Sequence, residues 1–228
     1  MALPVLKAPA YELTLPSNSK KIKFRSFLVK EEKLLMIANE TGDVEERRIA
    51  ISQIIDNCTF GKLDAESMPI FDVEYLFLKL RSKSIGEFVD VRVLCPDDKE
   101  TYAEVSVNLE DIKCRKPKKR ANILSLNDDV GVIMKYPTIS TSITESSSVI
   151  DVIVESIESI FDGETVFDVT DYNESELTEF VESMTQKQLQ NISDFYMNMP
   201  KVSLNVKVLN PKTKVESDVS LEGLESFF

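Results

Sequence analysis

The sequence predicts an α+β fold in which helical segments alternate with antiparallel β-hairpins. Three observations carry that prediction. The pattern V-[RK]-V-L-x-P-x-x-K occurs twice, at Val91–Lys99 and at Val206–Lys214. Each copy is followed by a second strand-like stretch and a similar exit, Val107–Ile112 against Val219–Leu224. Ahead of each copy, apolar residues recur at three- and four-residue spacing, the period of a helix with one buried face. The shared order of parts reads as two related helix-plus-hairpin halves.

Tyr11–Leu15 and Ile22–Phe27 alternate with period two around Pro16-Ser17-Asn18-Ser19, which predicts a first hairpin after an extended N-terminal arm. A helix is expected over Val29–Asn39, with Leu34, Leu35 and Ala38 on one face. Asp43 can cap the next, which carries Ile49, Ile51, Ile54, Ile55 and Cys58 and is closed by Gly61. A third, from Phe71 to Ser84, is apolar on a broad face and should be well buried. Val130–Tyr136 reads as a strand stopped by Pro137. Residues 138–148 are Ser/Thr-rich and fit an edge strand or a loop. Val149–Phe161 reads as an amphipathic helix through Ile150, Ile153, Val154, Ile157 and Ile160, ended by Asp162-Gly163. Asn173 or Ser175 can cap a helix carrying Leu177, Phe180 and Val181, and Thr185 another carrying Leu189, Ile192 and Phe195. Val91, Val93, Val206 and Val208 are expected to face helices.

Lys113-Cys114-Arg115-Lys116-Pro117-Lys118-Lys119-Arg120 holds six basic side chains in eight positions, with a proline that disfavours a regular element. The expected division is therefore residues 1–112, a basic linker at 113–128, and residues 129–228. The linker is read as solvated. The alternatives are a patch for phosphate or an acidic partner, docking onto the acidic stretch Glu145–Glu182, which has twelve carboxylates and no basic residue, or holding a neighbouring subunit.

The 228 residues suffice for one large domain or two small ones. Net charge is −12, which disfavours nucleic acid as a partner. No apolar run approaches the roughly 18–20 residues of a membrane span. MALPVLKAPAYELTL lacks the charged and apolar regions of a signal peptide, so a cytosolic protein is expected. Three cysteines, Cys58, Cys95 and Cys114, form no disulfide framework. The chain has no histidine, no phosphate-binding glycine loop and no nucleophile elbow, so we expect neither an enzyme nor a cofactor. Cys95-Pro96 sits where a zinc ribbon places a ligand, but no C-x-x-C exists and the second hairpin has Asn210 there, so a packed thiol is expected instead of a metal site. Asp168, Asp171 and Glu174 lack the order of a calcium loop. Phe227 and Phe228 at the chain end either cover the protein's own core or insert into a partner, since burying each ring is worth about 1.5–3 kcal/mol. With Phe24, Arg25 and Phe27 they are the candidate partner-binding residues.

Four stretches then read together: LPVLKAPAYELTLPSNSKKIKFRSFLVKEEKLLMIA at 3–38, FDVEYLFLKLRSKSIGE at 71–87, VIMKYPT at 132–138 and MPKVSLNVKVLNPKTKVESDVSLEGLESFF at 199–228. In order and content they resemble the baseplate hub assembly protein family of T-even-type bacteriophages. The resemblance implies a non-enzymatic viral protein, made in the host cytoplasm, that takes part in building the central hub of a contractile tail. Its implied partners are other hub proteins or the tape-measure protein, with a homo-oligomer open as an alternative. It implies either a permanent hub subunit or an assembly chaperone absent from the mature tail. The family's cysteines near the hairpin turns are represented only by Cys95, so no metal role carries over.

Overall fold

In the computed structural model, which describes residues 6, 8–118, 121–140 and 148–227, the period-two segments pair as antiparallel strands and most of the 3–4-spaced segments wind as helices. The elements in chain order are β1 (Ala10–Thr14), β2 (Lys21–Arg25), α1 (Val29–Thr41), α2 (Val44–Cys58), α3 (Ile70–Ser84), β3 (Phe88–Leu94), β4 (Tyr102–Asn108), β5 (Lys113–Cys114), β6 (Ile123–Ser125) and β7 (Val130–Met134). There follow α4 (Val149–Ser156), β8 (Ile157–Asp162), β9 (Thr165–Asp168), α5 (Glu174–Glu182), α6 (Gln186–Asn198), β10 (Val202–Leu209) and β11 (Glu216–Glu222). The fold is α+β. The contacts divide it into two compact units, Met1–Lys116 with Lys201–Phe228, and Pro117–Pro200.

Among the described residues the first unit holds three sheets: β1-β2, β3-β4, and β11-β10-β5. Its helices begin where capping chemistry allows. Asp43 accepts from the backbone N–H groups of Glu45 and Glu46 at the start of α2, satisfying two donors that the helix leaves unpaired. Helix α3 is enclosed on most of its circumference: Phe71, Leu76, Phe77, Leu78 and Leu80 are buried, and so are Asp72, Lys79 and Ser82. The two V-x-V-L hairpins share one core with this helix. Val91, Val93, Val107, Val208 and Leu221 are buried with Leu78, and Val206 packs against them half-buried. The valines expected to face helices thus also face the opposite hairpin, because each two-stranded ribbon has one apolar face and neither can bury it alone.

The hairpin registers correct the sequence match at the exits. Val91 pairs with Val105 and Val206 with Val219, so Val219 corresponds to Val105, and Leu221 to Val107. The exit likeness read from the sequence is displaced by two residues. The start of the basic stretch, expected as linker, is strand β5. It pairs with β10 through Val202–Cys114 and Ser203–Lys113. Two residues on the free edge of β10 suffice, and Pro117 comes after them. The second V-x-V-L hairpin therefore lies in the same unit as the first. Its preceding helices, α4 to α6, do not, so the recurrence holds for the hairpins and not for whole halves.

The second unit is a four-stranded antiparallel sheet, β6-β7-β8-β9, with α4, α5 and α6. Val132, Met134 and Ile157 from the strands pack with Ile153, Leu177, Val181, Ile192 and Phe195 from the helices. Asn173 and Thr185 cap α5 and α6, each reciprocated by the residue three positions on, Glu176 and Gln188. One expected helix is corrected. Val149–Phe161 is helical only to Ser156, and Ile157–Asp162 is strand β8, paired with β7 on one side and β9 on the other. Ile157 and Ile160 fit a helix face by spacing, but β-branched residues also suit a sheet, and neighbouring strands supply ladder partners on both sides from Ser159 to Asp162. Gly163, at φ 58°, turns this hairpin instead of ending a helix. Within residues 138–148, only 138–140 and 148 are among the described residues.

Candidate interaction site

The three hairpin turns of the first unit share one construction. Leu15, Cys95 and Asn210 each precede a proline, which sets the backbone for the turn. In each, the residue four positions on, Ser19, Lys99 or Lys214, sits at φ 56–61° and donates its N–H to the carbonyl of the corner residue at 3.0 Å. All three corner residues are buried. The first turn was legible as turn chemistry, but its kinship with the other two was masked because Tyr11–Leu15 lacks the V-x-V-L pattern.

Each turn is an attachment point. In the first, Ser17 donates its backbone N–H (3.0 Å) and its hydroxyl to the carboxylate of Asp72 on α3. The other two turns bind one another. Asn210 Nδ2 donates to Asp97 Oδ1 and Oδ2 at 3.0 and 3.1 Å, and Thr213 Oγ1 donates to the same carboxylate. The Asn210 side-chain oxygen accepts from the N–H groups of Lys212 and Thr213 at 2.8 and 3.2 Å. This buried amide is therefore satisfied on both ends, which a cysteine in its place would not achieve. Hydrogen bonds from Asn210 and then Thr213 hold the Asp97 carboxyl below its ordinary range. Asp98 is held well below that range by the Thr101 hydroxyl and backbone N–H.

The final 3-10 turn, Leu224–Phe227, is fastened to α3. Glu74 accepts from the Leu224 N–H at 3.1 Å, Arg81 Nη1 donates to the Phe227 carbonyl at 2.8 Å, and the Phe227 ring is fully buried in the hairpin core. Phe228 lies outside the described residues. The other candidate residues join the first hairpin to the helices. Phe24 is buried, with its ring centroid 5.5 Å from Tyr11. Phe27 is half-buried, its ring 5.9 Å from Phe77. Arg25 forms a bidentate pair with Glu31 at 2.9 and 3.2 Å. Burial would raise the Glu31 carboxyl, but hydrogen bonds from Arg25 and the Leu28 N–H outweigh it and hold it low. In this conformation the rings of Phe24 and Phe227 are committed to the interior, and a partner would reach them only if the unit opened.

The thiols are not poised for chemistry. Burial pushes Cys58 up to about 11 and Cys114 to about 12, and raises Cys95. Among the described residues no group of three or more Cys, Asp and Glu side chains could hold a metal ion. Within the basic stretch, Lys116 Nζ donates to Ser19 Oγ at 3.0 Å, and Lys119 and Arg120 lie outside the described residues. No helix among the described residues is long and apolar enough to cross a membrane. An open groove of about 480 Å³ beside α2 is lined by Asp56, Lys62, Asp64 and Glu66. The carboxyls that burial raises, Asp72 and Glu74, do not line it; they are engaged with Ser17 and with Leu224.

The outward side of the β3–β4 ribbon completes the site. Phe88, Leu94 and Tyr102 are exposed there, and the Arg92 guanidinium lies 5.2 Å from the Tyr102 ring centroid. The turn-to-turn clamp behind it makes this a braced surface with large side chains free to touch another protein. A family model described as T4 bacteriophage base plate protein matches residues 8–228. No curated protein and no solved structure matches the chain.

Proposed function

The chain belongs to the T4 bacteriophage base plate protein family, and from that premise we propose that it is a non-enzymatic protein that takes part in assembling the central hub of the base plate. The single observation that carries the reading is the extent of the family match, which spans both units. Its partners on this reading are other hub proteins or the tape-measure protein, met in the host cytoplasm.

The braced hairpin pair supports an assembly role. A ribbon fixed at its turn and along its inner face presents Phe88, Leu94 and Tyr102 without a large entropic cost on binding. The net charge of −12 suits a factor that must stay soluble before its partners arrive. Recovery of the chain from purified tails decides between the two forms of the role. Presence at fixed stoichiometry in mature tails assigns a permanent hub subunit. Presence only in intermediates assigns an assembly chaperone. Association with neither overturns the reading.

A further inference from the structure

The outward face of the four-stranded sheet in the second unit is used by nothing described above. Strand alternation sends Leu124, Val132, Met134 and Ile160 into the core with the helices. The paired registers Ile123–Ile133, Gly131–Phe161 and Phe161–Val166 place Ile123, Ile133, Phe161 and Val166 together on the other face. None of these four belongs to the unit's core. Ile123 is 41% exposed and Val166 63% exposed. Gly131 shapes the face: a Cβ there would collide with the Phe161 ring, so the ring occupies the space above bare backbone. The result is an apolar floor of four side chains from all four strands.

Charge says what this floor can receive. Residues 117–200 contain 15 Asp and Glu against 5 Lys and Arg, so this unit carries ten of the chain's twelve net negative charges. Asp162 and Glu164 flank the β8–β9 turn, and the Gly163 N–H donates to the Asp129 carbonyl at 3.0 Å, which brings the Asp128-Asp129 turn alongside. Asp168 shares the outward face with Ser159, and Lys135 stands near it. Two copies of such a face would bring like charges together, which disfavours self-pairing, and the same charge repels nucleic acid.

We propose that this face docks a segment of a different protein in which lysine or arginine side chains alternate with apolar ones. The apolar side would cover Ile123, Ile133, Phe161 and Val166, and the long basic side chains, which leave the opposite side of an extended segment, would curl over its edges to the bordering carboxylates. The proposal does not rest on the base plate reading, and its test uses no tail protein.

The test uses the full chain and a fluorescently labelled peptide of alternating Lys and Val, with an alternating Lys and Ser peptide of equal charge as the control. We expect the Lys-Val peptide to bind about tenfold more tightly than the control, and Val166→Lys to abolish that advantage. Val166→Thr, which keeps the β-branched shape, should reduce it by about threefold, with hydrogen-exchange protection by the peptide falling on β7 to β9. Equal affinity for the two peptides, indifference to both substitutions, or protection confined to the first unit would each overturn the proposal. So would a dimer of the chain that Val166→Lys dissociates, which would assign the face to self-association.

Discussion

Asn210 Nδ2 donates to both carboxylate oxygens of Asp97, at 3.0 and 3.1 Å, across 113 residues of chain. This contact joins the tips of the two recurrent hairpins. Asn210→Ala should lower stability by about 1–3 kcal/mol, because it strips two turn N–H groups of their acceptor and leaves the Asp97 carboxylate with Thr213 as its cross-hairpin donor. Asn210→Asp should invert the pH response. In the native protein the Asp97 carboxyl is held low, so its contribution is present above about pH 3.9 and lost as pH falls through the folded value. With a second carboxylate opposite, the loss should instead grow as pH rises through that range. Urea denaturation between pH 3 and pH 7 reads both slopes.

Arg25→Ala should be among the most damaging single substitutions on the first hairpin. It leaves the fully buried Glu31 side chain without its bidentate partner, at a cost of about 3 kcal/mol. The Glu31 carboxyl is held below its ordinary value in the native protein, so the stabilisation it contributes exists above about pH 4.3 and disappears as pH falls below the folded value. Arg25→Ala should flatten that acid limb. A denaturation series in which the acid limb is unchanged would show that the pair is not what holds Glu31 ionised.

Phe227→Ala should destabilise the protein by about 3–5 kcal/mol, since the ring is fully enclosed among the hairpin valines. A thermal melt unchanged by the substitution would place the ring outside the core. Loss of the ring should also release the Leu224–Phe227 turn, seen as faster exchange of the Leu224 amide that Glu74 now accepts.

Gly131→Ala should cost about 1–3 kcal/mol by overpacking against the Phe161 ring. Phe161→Ala in the same chain should restore only part of the loss, because the new Cβ also lies 2.5 Å from the Leu124 carbonyl oxygen, which cannot turn away. Chemical denaturation of the single and double variants measures the residue of strain.

The three cysteines should resist alkylation at pH 7.5 in the native protein and react fully after denaturation. Cys58 and Cys95 are buried, and the half-buried Cys114 is pushed up to about 12, so little thiolate exists to react. Mass spectrometry after a timed iodoacetamide pulse counts the labels, and rapid native labelling at Cys114 would contradict its surroundings.

Much of the local structure was written in short stretches. The caps at Asp43, Asn173 and Thr185, the turn prolines and the alternation of the V-x-V-L strands each depend on residues within a few positions, so they can be read before folding. The candidate contact residues were less legible. Phe24 stands in a strand the alternation predicts and Phe227 at the chain end, but composition cannot separate an aromatic that fills a core from one that meets a partner. The outward floor of Ile123, Ile133, Phe161 and Val166 had no signal at all, because its four members come from four strands and only their register brings them together.

By itself, the sequence determined that two like hairpins exist, that helices precede each, and that charge accumulates between Glu145 and Glu182. Only the tertiary structure decided that Ile157–Asp162 is a strand, that Cys114 pairs with Val202, and that both hairpins close one core around Leu78. The physical reason is range. Periodicity and capping are set by neighbours in the chain. The choice of a ladder partner is set by which edge is free when distant segments meet, and no residue near Ile157 or Val202 carries that information.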